Sequence, residues 1–187
     1  MKHYLLDKPL LPPYPEGFNQ VRFGMGCFWG SERLFWQQDG VYTTLVGYGG
    51  GKGDNPTYEQ VCTGNTNHIE LVRVVYDSIK IDLQTLLRLF WESHDPTQGN
   101  RQGNDRGSQY RSAIFVDSPR HLAIAEQSKA LYQAALFAAH GKTITTQIAI
   151  NTQFYPAESY HQQYLAKNPN GYCGMQGTGI SMPHELS

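Results

Sequence analysis

Short runs of apolar and β-branched residues predict the strands of this chain, because such side chains pack well on a pleated surface. The run at residues 69–76 is apolar almost throughout, which is typical of a strand with neighbours on both sides. We therefore expect this strand at the centre of a sheet. The predicted strands cover residues 20–26, 43–48, 69–76, 113–116 and 143–150.

Apolar residues at helical spacing predict three helices between these strands. Residues 31–38 are expected to form the first, which ends near Gly40, and residues 83–90 the second. Residues 119–140 are rich in strong helix formers and stop at Gly141, which predicts the third. The order β-α-β-β-α-β resembles the split βαβ, or ferredoxin-like, arrangement. We predict an α+β ferredoxin-like sandwich with an added helix–strand unit.

Three segments fit neither pattern. Residues 1–18 contain four prolines and are expected to form an extended N-terminal arm. Residues 94–111 form a long polar stretch, and structureless loops of this length are usually functional or disordered. The Gly-rich tail at residues 168–187 is expected to be flexible and carries Cys173. No repeat or low-complexity linker divides the chain, so we expect a single domain over residues 1–187.

Composition and charge exclude several classes of protein. A net charge of -1 provides no basic field for a nucleic-acid backbone, so no nucleic-acid partner is expected. No apolar run reaches the length of a secretory core segment or the ~20 residues of a membrane span, which indicates a cytoplasmic protein without a membrane partner. The three cysteines are too few and too widely spaced for a small secreted disulfide fold. No CxxC or HExxH spacing supports a metal site, and no bound cofactor is expected.

Cys27 lies where a predicted strand ends and a predicted helix follows. A helix N-terminus favours a thiolate, and lowering the pKa from about 8.5 to about 7 would raise the thiolate fraction on the order of tenfold. Gly26 and Gly30 permit a substrate to approach the backbone. Cys27 could instead be a small buried residue, and Phe28 and Trp29 could be core side chains. Their shared glycine-bounded turn favours a functional thiol.

The sequence GCFWG at residues 26–30 resembles the signature of the A-type peptide-methionine sulfoxide reductases. Five further blocks resemble segments of that family in the same order, so agreement by chance is implausible. These blocks are GYGGG (47–51), NPTYEQVCTG (55–64), HIELVRVVYD (68–77), FWESHDPTQGNRQGNDRGSQYRSAIF (90–115) and AESYHQQYLAKNPNGYC (157–173). The resemblance implies reduction of the S epimer of methionine sulfoxide, free or in oxidised proteins, as protein repair. It also implies that Phe28 and Trp29 form the pocket for the methyl group.

The resemblance implies a role for several polar residues. Attack of Cys27 on the sulfoxide sulfur pushes charge onto the oxygen, which then needs a proton or strong hydrogen bonds. Glu70 would be that acid. Tyr58 and Tyr110 would donate hydrogen bonds to the oxygen, with Asp105 as a further polar contact. On the residues alone, a buried Glu70 would stay protonated, but a solvent-facing position remains open, the tyrosines could simply pack, and Asp105 could be a turn residue.

The resemblance also implies how the redox cycle closes. Reduction leaves Cys27 as a sulfenic acid, which condenses with a second thiol. The cysteine of GYC, here Cys173, takes this part in the family. Many relatives carry a third cysteine further along the tail, but Ser181 lies near that place, so we expect thioredoxin to reduce the Cys27–Cys173 bond directly. We expect Cys62 to be a buried structural residue and the protein to be a monomer.

Two other classes of function remain open. Cys27 paired with His161 would suit acyl transfer, as in cysteine hydrolases, but that pair leaves the acid, the aromatic residues and the tail cysteine unexplained. A non-enzymatic module that binds a sulfoxide or a metal is the second alternative. Hydrolysis that requires Cys27 and ignores reductant would favour the first, and binding without turnover would favour the second.

Overall fold

A mixed β-sheet runs through the computed structural model, which describes residues 1–150 and 153–184. The strands in this part of the chain are β1 (Asn19–Gly24), β2 (Val41–Gly49), β3 (Ile69–Tyr76), β4 (Arg101–Gln102), β5 (Asp105–Arg106), β6 (Ala113–Val116), β7 (Gln147–Ile150) and β8 (Phe154–Pro156). The order across the main sheet is β7-β6-β1-β3-β2-β8, and β4 pairs with β5 in a separate hairpin.

Strand β3 lies at the centre of the sheet, as its apolar sequence predicts. It pairs antiparallel with β1 on one side and with β2 on the other, so both of its edges are hydrogen bonded. Strand β6 pairs antiparallel with β1, and β7 runs parallel to β6. The fold is therefore of the α+β class, with an antiparallel centre that one parallel strand extends.

Five helices and one 3-10 turn accompany the sheet in the described residues. They are α1 (Phe28–Trp36), α2 (Tyr58–Cys62), α3 (Leu83–Ser93), the 3-10 turn at Ser108–Tyr110, α4 (Pro119–His140) and α5 (Tyr164–Lys167). Helix α4 has the predicted bounds because Ser118 accepts the His121 N–H at one end and Gly141 adopts a φ of +64° at the other. None of the described helices is both long and apolar enough to cross a membrane.

The main apolar core lies between the sheet and helices α1, α3 and α4. Phe23 of β1 stacks on Phe35 of α1 at 4.9 Å between ring centroids, and on Phe90 of α3 at 5.1 Å. Each buried side chain of this size contributes roughly 1.5–3 kcal/mol. These contacts hold the last turn of α1, together with α3, against the end of β1.

The predicted strand at residues 143–150 is confirmed only from Gln147 onward. The Thr145 N–H donates to the carbonyl oxygen of Pro96 at 2.8 Å, so the preceding residues satisfy their backbone on a loop. The polar segment at residues 94–111 is itself structured, since it contains the β4–β5 hairpin and the 3-10 turn. The predicted long loop is therefore a pair of short elements.

Residues 1–18 do not form the extended arm that their prolines predict. The chain turns back on itself, and Lys2 and Pro9 form an antiparallel bridge. His3 is buried, with its Nε2 2.9 Å from the Thr44 Oγ1 on β2, and Leu10 is buried as well. The prediction was wrong because proline restricts its own backbone angles but leaves the residues between prolines free to turn.

The Gly-rich tail makes specific contacts as far as residue 184. The Met182 N–H donates to Glu92 Oε1 of α3 at 2.7 Å, and Arg88 donates to the Met182 carbonyl at 2.8 Å. The Tyr132 hydroxyl of α4 lies 2.7 Å from Thr178 Oγ1. These hydrogen bonds anchor a segment whose glycine content predicts flexibility. Residues 185–187 of the predicted tail lie outside the described residues.

Candidate active site

Cys27 occupies the N-cap position of α1, where the chain has just left β1. The helix begins three residues earlier than predicted because the Phe28 N–H, which has no partner within the helix, donates to Glu70 Oε2 at 3.0 Å. Gly26 has a φ of +85°, and a Cβ at this position would lie 2.6 Å from Gln102 Cβ. Glycine is therefore required immediately before Cys27.

A cavity of about 90 Å³ brings most of the predicted site residues together. Its lining residues are Cys27, Phe28, Trp29, Tyr58, Glu70, Asp105, Tyr110, His161 and Tyr172. Of the eight residues that the sequence pointed to, Cys173 is the one that lies outside this lining. The lining comes from helices, a central strand, a hairpin and the tail, so the cavity exists only in the folded chain.

Glu70 is buried on β3, where it interrupts the apolar run opposite Tyr48 of β2. Burial raises the pKa of Glu70 to about 8, and the hydrogen bond from the Phe28 N–H offsets only part of this effect. The carboxyl group is therefore largely protonated at neutral pH and can donate a proton. The solvent-facing alternative for Glu70 is excluded.

The Cys27 thiol does not have the lowered pKa that its place at a helix start predicts. Burial raises its pKa well above the usual range, and the Glu70 carboxylate acts in the same direction at the higher pH where Glu70 is ionised. The Trp29 N–H favours the thiolate, as expected at a helix N-terminus, but its effect is smaller. The prediction was wrong because the sequence indicates the helix start and not the desolvation of the sulfur.

Tyr58 at the start of α2 and Tyr110 at the end of the 3-10 turn contribute phenol groups to the cavity. Burial raises the pKa of both phenols, so both hydroxyls keep their protons at neutral pH and can donate hydrogen bonds. Cys62 lies beside Tyr58 and is exposed. The prediction of a buried Cys62 was therefore wrong, because the last residue of this short helix faces solvent.

Asp105 on β5 accepts a hydrogen bond from the Tyr172 hydroxyl at 3.0 Å. Because Tyr172 directly precedes Cys173, this bond holds the tail against the β4–β5 hairpin at the edge of the cavity. Sequence reasoning did not single out Tyr172. The signal that could have found it is the GYC block, in which it is the central residue.

Phe28 and Trp29 form the aromatic part of the cavity. Phe28 is buried, with its ring centroid 5.8 Å from that of Tyr48 and 5.1 Å from that of His161. Trp29 is partly exposed and stacks on Tyr164 at 3.8 Å between centroids. One ring is thus part of the core, and the other forms a wall of the cavity.

Cys173 packs against the first turn of α1. Its Sγ is 2.9 Å from the position that a Cβ on Gly30 would occupy. Gly30 follows Cys27 by three residues, so both lie on the same side of the helix. Cys173 also lines a larger cavity of about 510 Å³, and its thiol is free, as is that of Cys27. The structure therefore brings both thiols to one helix end.

The geometry does not support the two alternative functions. His161 lines the cavity, but its Nδ1 accepts a hydrogen bond from Trp29 Nε1 at 3.0 Å, and its Nε2 has no hydrogen-bond partner among the described residues. No described contact pairs this histidine with Cys27, as acyl transfer would need. Within residues 1–150 and 153–184, no group of three or more His, Cys, Asp or Glu side chains is placed to hold a metal ion.

Comparisons with known proteins identify the family. The peptide methionine sulfoxide reductase family model matches residues 19–182. Peptide methionine sulfoxide reductase MsrA of Rippkaea orientalis is 59% identical over 185 residues, which cover 99% of this chain and 85% of that protein. Methionine sulfoxide reductase A of Corynebacterium diphtheriae is similar in structure, with a TM-score of 0.85 and 43% identity over 97% of this chain and 89% of that one. Reduced Mxr1 from Saccharomyces cerevisiae has a TM-score of 0.78 and 34% identity over 87% and 92% of the two chains. The chain therefore belongs to the peptide methionine sulfoxide reductase family, as an A-type (MsrA) member, and reduces methionine sulfoxide to methionine.

Proposed function

We propose that Cys27 is the nucleophile of this reduction and Glu70 its general acid. The main support is the cavity in which a thiol, a protonated carboxyl and two phenol hydroxyls meet. The Cys27 sulfur attacks the sulfoxide sulfur, while the oxygen takes a proton from Glu70 and hydrogen bonds from Tyr58 and Tyr110. The oxygen then passes to Cys27 as a sulfenic acid, the proton lost by the Cys27 thiol replaces the one that Glu70 gave up, and the sulfoxide sulfur gains two electrons and leaves as methionine.

Substrate binding activates the Cys27 thiol in this mechanism. Burial disfavours the thiolate before a substrate is present. A sulfoxide sulfur carries partial positive charge, which faces the Cys27 sulfur in a cavity where a low dielectric strengthens the attraction. Protonated Glu70 adds no opposing negative charge. The ionised nucleophile is therefore a property of the complex and not of the free enzyme.

Phe28 and Trp29 are proposed to hold the methyl group of the sulfoxide. Burial of one methyl contributes about 0.8 kcal/mol and a sulfur–aromatic contact about 0.3–1.5 kcal/mol. Together these contacts correspond to about one order of magnitude in affinity. The pocket thus orients the substrate more than it holds it, and Asp105 contributes by keeping Tyr172 at the cavity edge. A preference for the S epimer follows from fixed positions for the methyl group and the oxygen.

Cys173 is proposed as the resolving cysteine. Its thiol attacks the Cys27 sulfenic acid, water leaves, and a Cys27–Cys173 disulfide remains. The place of Cys173 against Gly30, one turn from Cys27, supports this step. Cys62 is not needed for the cycle.

Thioredoxin is proposed to reduce this disulfide by thiol exchange, so that its dithiol supplies the two electrons and no bound cofactor is needed. The 510 Å³ cavity beside Cys173 provides the access that a partner thiolate requires. The yeast relative Mxr1 has also been solved in complex with Trx2. Because this cycle needs a reducing compartment, we propose a cytoplasmic location. A monomer suffices, since no step uses a second copy.

Turnover of methionine sulfoxide tests the proposal. Wild type with thioredoxin is expected to reduce the S epimer, free and in a short peptide, and to leave the R epimer unchanged. Cys27→Ser is expected to form no methionine while its circular dichroism spectrum stays that of the wild type. Cys173→Ser is expected to release about one methionine per enzyme with thioredoxin and then stop, because no disulfide can form.

Mass spectrometry after a single turnover identifies the disulfide. The expected main product contains a Cys27–Cys173 bond. A Cys27–Cys62 bond as the main product would contradict the assignment of the resolving cysteine. Full activity of Cys27→Ser would contradict the proposal as a whole.

The finer fold description is also a proposal, in which residues 1–187 form a single ferredoxin-like domain with a tail that carries Cys173. The strand order β6-β1-β3-β2, with α1 after β1 and α3 after β3, matches the split βαβ arrangement and supports it. The α4–β7 unit is the addition at one edge. A single cooperative unfolding transition is expected for one domain.

A further inference from the structure

Residues 158–164, with the sequence ESYHQQY, contact two of the residues that line the cavity. The His161 ring accepts a hydrogen bond from Trp29, and the Glu158 carboxylate accepts one from Tyr58. The proposed function places Trp29 against the substrate methyl group and Tyr58 at the sulfoxide oxygen. This 158–164 segment therefore reaches both ends of the proposed substrate site.

The hydrogen bond from Trp29 fixes His161 in one tautomer. An indole N–H can only donate, so His161 Nδ1, 3.0 Å away, is the acceptor. The imidazole proton then lies on Nε2, which is 3.9 Å from Glu158 Oε2. Burial lowers the pKa of His161, so the ring stays neutral near pH 7 and Nδ1 remains able to accept.

Tyr164 fixes the same indole from a second direction. Its ring stacks on that of Trp29 with 3.8 Å between centroids and 12° between planes. The edge of the indole is thus bonded to His161 and one face is covered by Tyr164. A ring held in this way presents a constant surface to a methyl group, whereas an unbonded ring can rotate about its side-chain torsions.

Glu158 holds Tyr58, the proposed donor to the sulfoxide oxygen. Its Oε1 accepts the backbone N–H of Tyr58 at 2.8 Å, and its Oε2 accepts the Tyr48 hydroxyl at 2.9 Å. Burial acts to raise the pKa of Glu158, but the donated hydrogen bonds outweigh it and leave the pKa below its ordinary value. The carboxylate is therefore ionised at neutral pH, and its bonds to both tyrosines are charge-assisted.

The 158–164 segment is itself tied to the folded body. The Gln162 side chain accepts the Val46 N–H and donates to the Val46 carbonyl, both at 2.9 Å, as an added strand would. The backbone and side-chain N–H groups of Gln163 donate to the two oxygens of buried Glu32 at 2.8 and 2.7 Å. Glu32 and Trp29 both belong to α1, so the segment and the indole share one rigid support.

We infer that His161 and Glu158 are positioning residues that set the separation between the methyl wall at Trp29 and the oxygen donor at Tyr58. The inference deepens the proposed function and depends on it for the roles of these two partners. Each positioning residue acts through its partner and not on the reacting atoms. Together they make sulfoxide recognition depend on a segment outside the nucleophile motif.

Two substitutions at His161 distinguish the effect of its hydrogen-bond acceptor from the effect of its aromatic ring. His161→Asn keeps an acceptor near the place of Nδ1, whereas His161→Phe keeps a ring without an acceptor. We expect His161→Phe to raise KM for free methionine S-sulfoxide about two- to tenfold, the effect of one lost hydrogen bond, with kcat changed less than twofold. His161→Asn is expected to restore KM to within about twofold of the wild type.

The indole N–H signal of Trp29 in a ¹H–¹⁵N NMR spectrum, assigned with Trp29→Phe, provides a second readout. It is expected to shift in His161→Phe and to stay close to its wild-type position in His161→Asn. Equal losses in the two variants, or an unmoved Trp29 signal in His161→Phe, would overturn the role of His161. If His161→Phe does not fold, His161→Gln replaces it. The glutamine oxygen lies near the place of Nε2 and not of Nδ1, so this variant is expected not to restore the wild-type KM.

A double variant distinguishes this inference from the proposed function. If His161 acts through Trp29, adding His161→Phe to Trp29→Phe is expected to raise KM no further. A full additional effect in the double variant would overturn the inference and leave the proposed function intact. If Trp29→Phe alone leaves KM unchanged, the proposed methyl pocket fails, and selection of the substrate through His161 fails with it.

Glu158 is tested through kcat. Glu158→Ala leaves the Tyr58 N–H without its acceptor, and we expect kcat to fall about tenfold with KM changed less than threefold. Glu158→Gln keeps an acceptor oxygen and is expected to recover most of kcat. The control is Glu126→Gln on the exposed side of α4, which removes a glutamate charge away from the cavity and is expected to change kcat less than twofold. Loss of activity in Glu158→Gln equal to that in Glu158→Ala would overturn the role of Glu158.

Discussion

Replacement of Glu70 by glutamine removes the proposed proton donor while keeping an oxygen that can accept the Phe28 N–H. Burial raises the pKa of this carboxyl from 4.5 to about 8. At pH 7 about 90 per cent of such groups are protonated, against about 0.3 per cent of unshifted ones. Because a general acid contributes about 10²- to 10⁴-fold, Glu70→Gln is expected to lower kcat by that range.

The same substitution is expected to stabilise the fold near neutral pH. An unfolded chain ionises Glu70 at its ordinary pKa of 4.5, whereas the folded chain keeps the proton up to about pH 8. Folding therefore costs about 3 kcal/mol at pH 7 through this one group. Since the folded-state pKa is raised, the cost is absent below about pH 4.5, grows up to about pH 8 and is constant above that. Glutamine is neutral in both states and avoids it.

Urea unfolding at pH 4 and pH 7, together with kcat/KM across pH, tests both statements. The variant is expected to match the wild type in stability at pH 4 and to exceed it at pH 7. Wild-type kcat/KM is expected to fall as the pH rises through about 8, because the donor ionises. Glu126→Gln on the exposed side of α4 is the control and is expected to change neither quantity. The reasoning would be refuted if Glu70→Gln kept the kcat of the wild type, or if this variant were less stable than the wild type at pH 7 alone.

Three further predictions concern the tail and the third cysteine. In Gly30→Ala the added Cβ would lie 2.9 Å from Cys173 Sγ and displace this thiol. In a quench-flow assay the first methionine is expected to form at the wild-type rate, whereas steady turnover is expected to be about tenfold slower. A steady rate equal to that of the wild type would contradict the placement of Cys173. Cys62→Ser is expected to keep kcat/KM within about twofold of the wild type, because the residue is exposed and outside the proposed cycle, and a loss of tenfold or more would give Cys62 a part in it. Tyr172→Phe removes the 3.0 Å hydrogen bond to Asp105 and is expected to raise KM about two- to tenfold, whereas an unchanged KM would show that this bond does not shape the cavity.

Neighbouring residues were sufficient to predict several elements with their bounds. Strands β3 and β6 and helix α4 begin and end where the apolar runs, a stretch of strong helix formers and a terminal glycine place them. The N-terminal arm failed the same test, since proline composition says nothing about how the intervening residues turn. The motif blocks also contain the seven predicted residues that line the cavity, and the roles of these residues stay predictions.

The amino-acid sequence alone specifies the order of strands and helices and the set of reactive groups, since both are properties of residues and their near neighbours. The charge states and the partners of those groups are settled only on folding. Desolvation raises the pKa of Cys27 and of Glu70, and it comes from side chains far away along the chain. In the same way, His161 meets Trp29 across 132 positions, a contact that no local pattern encodes.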